Sequence, residues 1–494
     1  MYEHMANFSG GPPNEFHYGL YSEWAKHGWG MILTGNVQVS PQHLTLGRDI
    51  VVPPTLDAED VKPFKKLAEV IHGAVDGTRS LAIMQLSHAG RQSANFIGGR
   101  PPFVPPLAPS SVRVGARHDE NRGRGVISNL IFHALFQVPM EMTALDILQV
   151  QSSFVRGALL AYKSGFDGIQ LHAAHGYLLA QFMSPKSNIR SDKYSVAPEN
   201  ATRMLSEIIE AIRKVVPTTF IIGIKINSAD YVTSGNAEEV SQEGERRVLD
   251  HIRTIASWGV IDFIEISGGD YEKPGMGAYK ENVPQSNPIS CSDFMACSGS
   301  QKLDRQAFFA QFSRTVMKDL HRSPVPFSSV PPILLTGGLR SHFHLHAALM
   351  SKHADLLGIG RCAVLCPDLP KILRLQLQNN KSSSTWANKP FTREPEAVFK
   401  ASKWVPSVKL IGSGVGTAWY TTRMRDIAIS QIKNPRAEPP PADYNRGGLI
   451  AVFTMWAWFD SRITPIWVLG ILMVLVVTAG FSVSAKNGVI GTPG

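Results

Sequence analysis

Cysteine is scarce in this chain: Cys291, Cys297, Cys362 and Cys366 are the four among 494 residues, and their spacing forms neither a metal nor a redox signature. Reduced thiols in a reducing compartment are therefore expected, not a disulfide scaffold. Charge is modest, at 18% against 44% hydrophobic residues, which excludes wholesale disorder and fits a globular fold. The residues after Met1 are polar, so no signal peptide is visible. No internal repeat and no nucleic-acid motif are apparent. The formal net charge of +9 is not gathered into a basic patch interleaved with aromatics, so no nucleic-acid partner is expected.

What is present is an alternation of short apolar runs with helical patterns, the pattern of a parallel barrel or a doubly wound sheet. Strands are predicted at Met31–Gly35, Leu81–Leu86, Asp167–Leu171, Thr219–Ile226, Asp262–Ile266, Pro332–Thr336 and Asp355–Gly360, with helices at Lys62–Val75 and Asn200–Val216 among them. The order suits an eightfold (β/α) barrel with one strand missing. Two insertions, Gly98–Pro139 and Asp270–Ser300, follow strand ends, where loops act as lids.

Residues Ile463–Ala485 carry no charged side chain and match one bilayer crossing as a helix. From Lys403 to Arg462 eight basic residues stand against four acidic ones, and only Lys486 follows the apolar run. The positive-inside rule then predicts a single-pass C-terminal anchor with the body in the cytosol. Upstream, Leu449–Phe459 is too short to span, and lies either along the headgroups or buried as a helix. The expected organisation is a barrel over 1–377, an extension and basic juxtamembrane linker over 378–462, the membrane helix over 463–485 and a short tail over 486–494.

The most informative stretch is His172-Ala-Ala-His175-Gly-Tyr177-Leu-Leu-Ala-Gln181-Phe-Met-Ser-Pro185-Lys-Ser187-Asn188-Ile-Arg190-Ser-Asp192-Lys-Tyr194. It follows the apolar run of a predicted strand, and a strand end is where a barrel puts its chemistry. Two imidazoles three residues apart can aim ring N–H groups at one point, with a phenol beside them: a polar clamp next to a proton donor. Taken alone, an isolated pair reads first as one satisfied core histidine and one solvent-exposed histidine, and second as a zinc site.

The longer stretch resembles the signature of the old yellow enzyme family, the FMN-dependent ene-reductases and NADH:flavin oxidoreductases. The resemblance runs over about residues 1–370, and what it implies is a TIM barrel using FMN, with NADH or NADPH as hydride donor and a small-molecule alkene as substrate. Its catalytic residues would be His172 and His175, holding the substrate oxygen, and Tyr177, supplying a proton. Gln85 matches the family glutamine on the pyrimidine half of the flavin, and Gly35 a small residue whose backbone lies against the ring. Lys225 stands where the family usually has arginine, keeping the charge without the fork of donors. Gly337-Gly338 and Gly360-Arg361, at successive strand ends, match the phosphate site. No metal is implied. Tyr2 falls where the family carries a threonine or cysteine near the flavin C4 oxygen, and Met1–Ala6 resembles the residues after the first barrel strand, so a barrel lacking that strand is expected. A flavin-binding but impaired protein is the alternative.

Overall fold

Every second residue of the central strands is apolar and faces outward, and this period of two separates two cores. The computed structural model describes residues 2–73, 79–115, 132–228, 237–268, 304–322, 330–378, 390–393, 395 and 414–458. Its strands are β1 (Met31–Gln38), β2 (Ile50–Val51), β3 (Leu81–Ser87), β4 (Leu107–Ala108), β5 (Met140–Glu141), β6 (Gly168–Ala173), β7 (Ile221–Asn227), β8 (Phe263–Ser267), β9 (Ile333–Thr336) and β10 (Leu356–Gly358). β4 and β5 pair with each other, and the rest form one parallel sheet in the order β10-β9-β8-β7-β6-β3-β1-β2. All seven predicted strands are present, each beside its neighbour in the chain.

Met84 and Leu86 of β3, Ile169 and Leu171 of β6, Ile222 and Ile224 of β7 and Ile264 of β8 point outward into a core shared with the covering helices. The intervening residues point the other way. Met31, Leu33, Ile83, Ile221, Phe263 and Leu334 form a second, inner cluster. Strands β1 and β9 are far apart in the sheet order yet share that cluster, so the sheet is curled: the architecture is α/β and TIM-barrel-like. Gly223 belongs to this filling, because a Cβ there would lie 2.1 Å from the Phe263 ring.

Among the described residues no ladder joins β10 to β1, so the barrel is open where a first strand would lie. Two devices cover the β1 edge. The short β2 pairs with its upper end, Val37 opposite Ile50 and Gln38 opposite Val51. Lower down, the Gly35 N–H donates to Glu3 Oε1 and to the Tyr21 hydroxyl oxygen, both at 2.8 Å, while the Tyr21 hydroxyl donates to Glu3. Side chains thus supply part of the pairing that a backbone would give.

Part of the predicted juxtamembrane linker is a packed element. The helix Gly414–Lys433 lies across the first helix, Glu15–Ala25, and the helix Gly448–Trp456 packs behind it. Phe16, Leu20, Trp419, Met424, Ile427 and Met455 share their core. A Cβ on Gly19 would sit 2.7 Å from the Ala428 carbonyl oxygen, so the two backbones approach as closely as glycine permits. Arg423, Arg425 and Arg446, three of the eight basic residues of the supposed membrane flank, are used internally. Arg425 is buried and donates to the His4 and Thr454 carbonyls, Arg423 donates to the Pro440 carbonyl, and Arg446 pairs with Asp426. The positive-inside reading loses those charges to tertiary contacts. Among the described residues no helix is long and apolar enough to cross a membrane. The predicted span 463–485 lies outside them, as does the insertion Asp270–Ser300. Trp419, at 2% exposure, anchors the helical pair. Trp419→Ala is expected to cost about 3–5 kcal/mol, read as a lowered urea midpoint with unchanged slope.

Candidate functional site

All strands of a parallel sheet end on one side, so the inward residues of the upper strand turns converge there. Register sets who meets whom: Gln85 lies opposite Gln170 and Gln170 opposite Gly223, while His172 lies opposite Lys225 and Lys225 opposite Glu265. Directly above the apolar inner cluster runs a polar strip. Gln85 Nε2 donates to Gln170 Oε1 at 2.9 Å, Gln170 Nε2 to Glu265 Oε2 at 2.7 Å, and Lys225 Nζ pairs with Glu265 Oε1 at 2.9 Å. Burial works to raise the Glu265 carboxyl, but the Lys225 charge and the Lys225, Gln170 and Thr336 hydrogen bonds hold it below its ordinary range. Lys225 is thus engaged by one carboxylate and keeps further N–H donors to give.

The next layer holds the signature. His172 Nδ1 is 2.9 Å from Asn36 Oδ1, its Nε2 is 2.9 Å from His175 Nδ1, and His175 Nε2 is 3.1 Å from Ser267 Oγ. With the Asn36 carbonyl accepting, the hydrogens fall into one consistent chain: His172 carries its proton on Nδ1, accepts at Nε2 from His175 Nδ1–H, and His175 Nε2 accepts from the Ser267 hydroxyl. Burial, helped by the Lys225 charge, holds both imidazoles well below their ordinary pKa, so both are neutral. The predicted geometry of two N–H groups aimed at one external point is thus not what the backbone produces. His175 stands on a left-handed turn, φ +55°, followed by Gly176 at +70°, and this folds its ring edge-on against His172, centroids 5.0 Å apart. One ring must turn before the pair can hold a substrate oxygen.

The Tyr177 ring lies 4.5 Å from that of His172, and its hydroxyl hydrogen-bonds Thr45 and Asn36. Burial pushes the phenol up to about 12. Asn36 therefore bridges His172 and Tyr177. The rest of the signature serves to hold this turn. Gln181 donates to the Ala89 and Gly176 carbonyls, Asn188 to the Phe182 and Tyr194 carbonyls, and Ser187 to the Gln181 carbonyl.

The glycines lie as follows. Gly337 and Gly338, at φ +130° and +74°, turn the chain off β9, and Gly360 precedes the short helix Arg361–Leu365 after β10, exposed and with open space where a Cβ would be. The two pairs follow adjacent strands, Gly358 lying opposite Thr336. Gly35 has Glu3 against it, the carboxylate oxygen 1.8 Å from where a Cβ would go. Tyr2 gives its hydroxyl to Asp49 Oδ2 at 3.0 Å.

Asn36, Gln170, Glu265, Ser267 and Asn227, whose Oδ1 accepts from the His175 N–H at 3.0 Å, escaped the sequence reading. Their signal was available: each is a polar residue on the inward face of an otherwise apolar strand, as in Gly168-Ile-Gln170-Leu-His172 and Phe263-Ile-Glu265-Ile-Ser267. Among the described residues no three His, Cys, Asp or Glu side chains gather as metal ligands.

The buried neutral histidines make stability pH-dependent. His172 and His175 are lowered, and His17 and His88 are lowered by burial to about 3. The unfolded chain then binds more protons than the native one below pH 6.5, so stability is full above that value and is lost as pH falls through it. Each group contributes a slope of about 1.4 kcal/mol per unit. Urea midpoints at pH 7.5, 6 and 5 are expected to fall in that order; a flat profile would show that these rings are solvated.

An FMN fits these residues: an amide on β3 and an ammonium on β7, on either side of β6 in the sheet, suit the alternating polar edge of an isoalloxazine, and the paired glycine turns on β9 and β10 suit a phosphate. Residues 4–263 match the NADH:flavin oxidoreductase / NADH oxidase family. The chain is 36% identical over 360 residues to the NADH-dependent flavin oxidoreductase iliE of Neonectria sp. (strain DH2), covering 73% of this chain but only 42% of that protein. It is 34% identical over 415 residues to the NADH-dependent flavin oxidoreductase iccE of Talaromyces variabilis, covering 83% and 88%. Among solved structures, morphinone reductase aligns at a TM-score of 0.51 and 17% identity, covering 76% of this chain and 84% of that one. The old yellow enzyme homologue of Zymomonas mobilis aligns at 0.51 and 20%, covering 76% and 88%.

Proposed function

The chain belongs to the NADH:flavin oxidoreductase / NADH oxidase family, an oxidoreductase family using FMN and NADH or NADPH, and on that premise we propose that its substrate is an activated alkene, an α,β-unsaturated carbonyl or similar compound. The observation that carries this reading is the Asn36–His172–Tyr177 cluster, which sets a buried, fully protonated phenol beside two neutral imidazoles at the strand ends. When bound, FMN would supply the hydride chemistry. Gln85 and Lys225 would hold its pyrimidine edge, and the Gly337-Gly338 and Gly360-Arg361 turns its phosphate. His172 and His175 would take the substrate oxygen once the His175 ring turns off its partner. Tyr177 would give its proton to the α carbon, and its high pKa is no obstacle because an enolate is a stronger base.

Purified full-length protein is expected to be yellow and to oxidise NADH or NADPH with 2-cyclohexenone as acceptor. Yellow protein without enone-dependent turnover would favour the second reading, a flavin-binding but impaired barrel, for which Glu3 packed on Gly35 and the lack of a ladder between β10 and β1 among the described residues speak. The anchor at 463–485 belongs to the same reading of the sequence; membrane pelleting that resists carbonate and is lost on deleting those residues is its test.

A further inference from the structure

Tyr177 is 7% exposed, so a proton it gives away does not come back directly from bulk water. Behind it lies a buried polar network that no part of the mechanism above uses. Thr45 hydrogen-bonds the Tyr177 hydroxyl and also reaches Asp49 with its side chain. Its Oγ accepts from Gln38 Nε2 at 2.8 Å, which leaves its own hydrogen for Tyr177 or Asp49. Asp49 is almost wholly buried. Its oxygens accept from Gln38 Nε2 at 3.1 Å, from the Tyr2 hydroxyl at 3.0 Å and from the Thr45 and Leu46 N–H groups at 3.1 and 3.3 Å. Tyr2 is half-buried and so connects this carboxyl to the surface.

We propose that Asp49 and Thr45 are positioning residues that refill Tyr177 after each turnover, forming a proton path Tyr2–Asp49–Thr45–Tyr177. The step balances in protons alone. As the Tyr177 O–H bond breaks and the substrate C–H bond forms, the Thr45 O–H bond breaks and the Tyr177 O–H bond re-forms. In the same event an Asp49 carboxyl O–H bond, formed beforehand with a proton from solvent through the Tyr2 hydroxyl, breaks and the Thr45 O–H bond re-forms, leaving the Asp49 carboxylate to be recharged by the same route. Burial raises the Asp49 carboxyl against the pull of its hydrogen-bond donors, which suits a group that must hold a proton in passing. The inference rests on Tyr177 being the proton donor.

The test compares Thr45→Val, which keeps the shape and removes the hydroxyl, with Thr45→Ser, which keeps the hydroxyl, and adds Asp49→Asn, all in the full chain. Stopped-flow traces separate flavin reduction by NADH from flavin reoxidation by 2-cyclohexenone. Thr45→Val and Asp49→Asn are expected to slow reoxidation at least about tenfold more than reduction, in kcat and not KM, with Thr45→Ser within about threefold of the unmodified protein. The proton inventory in mixed H2O and D2O is expected to be bowed in the unmodified protein and linear in Thr45→Val. A flavin-independent readout is the Tyr177 13Cζ resonance, assigned with Tyr177→Phe, which is expected to move in Asp49→Asn and in Thr45→Val. Equal slowing of both half-reactions, equal activity of the Val and Ser variants, or an unmoved resonance overturns the path. If the unmodified protein reduces no enone while the resonance still moves, the alkene-reductase reading falls and the Asp49–Thr45–Tyr177 coupling stands.

Discussion

Tyr177→Phe is expected to slow alkene reduction by about 10²–10⁴-fold, the usual contribution of a positioned general acid, while flavin reduction by NADH falls less than about fivefold. The difference follows from the chemistry of each half. Only the alkene step delivers a proton to carbon, and Tyr177 is the hydroxyl that stands against the His172 ring. The phenyl ring of the variant keeps the packing, but Asn36 and Thr45 lose a buried partner, at about 1–3 kcal/mol. A urea curve must therefore accompany the kinetics, so that lost rate on folded protein is what is compared. Alkene reduction at the unmodified rate would remove Tyr177 from the mechanism. It would leave the imidazoles as the source of the proton, which their neutral, mutually bonded state makes difficult.

The second large effect concerns the polar strip. Lys225→Met strands the Glu265 carboxylate, 5% exposed, inside the barrel. Breaking a buried ion pair from one side costs about 3–5 kcal/mol, part of which Glu265 recovers by taking up a proton. The double variant Lys225→Met, Glu265→Gln is expected to regain most of that stability, because the amide can still accept from Gln170. Flavin affinity is expected to stay low in both, since the ammonium proposed to hold the pyrimidine edge is gone in both. Urea midpoints and flavin retention after gel filtration separate the two roles. If the single variant is as stable as the unmodified protein, the pair is solvated and the strip is not a closed network. If the double variant keeps its flavin, Lys225 does not hold the cofactor.

The seven strands, their order and the placing of His172 to Tyr177 at a strand end were legible because each depends on local composition and a short period. The same period concealed the inner face. A strand quoted as one apolar run, such as Asp262–Ile266, hides Glu265 among isoleucines, and only alternate burial shows that it points into the barrel with Gln170 and Lys225. The helices between Gly414 and Trp456 were read through their charges, and the membrane flank they suggested loses three of its eight basic residues once Arg423, Arg425 and Arg446 find carbonyls and a carboxylate.

By itself the sequence determined the family, the parallel α/β scaffold and the identity of the chemical groups at the strand ends, since these are properties of residues and their near neighbours. Only the tertiary structure decided which groups meet. Asn36 and His172 are 136 positions apart, Lys225 and Glu265 lie on different strands, and the His175 ring turns inward because a left-handed turn aims it there. The physical reason is that a hydrogen bond requires atoms within about 3 Å. Strand register and backbone dihedrals set distances on that scale, and residue order along the chain does not.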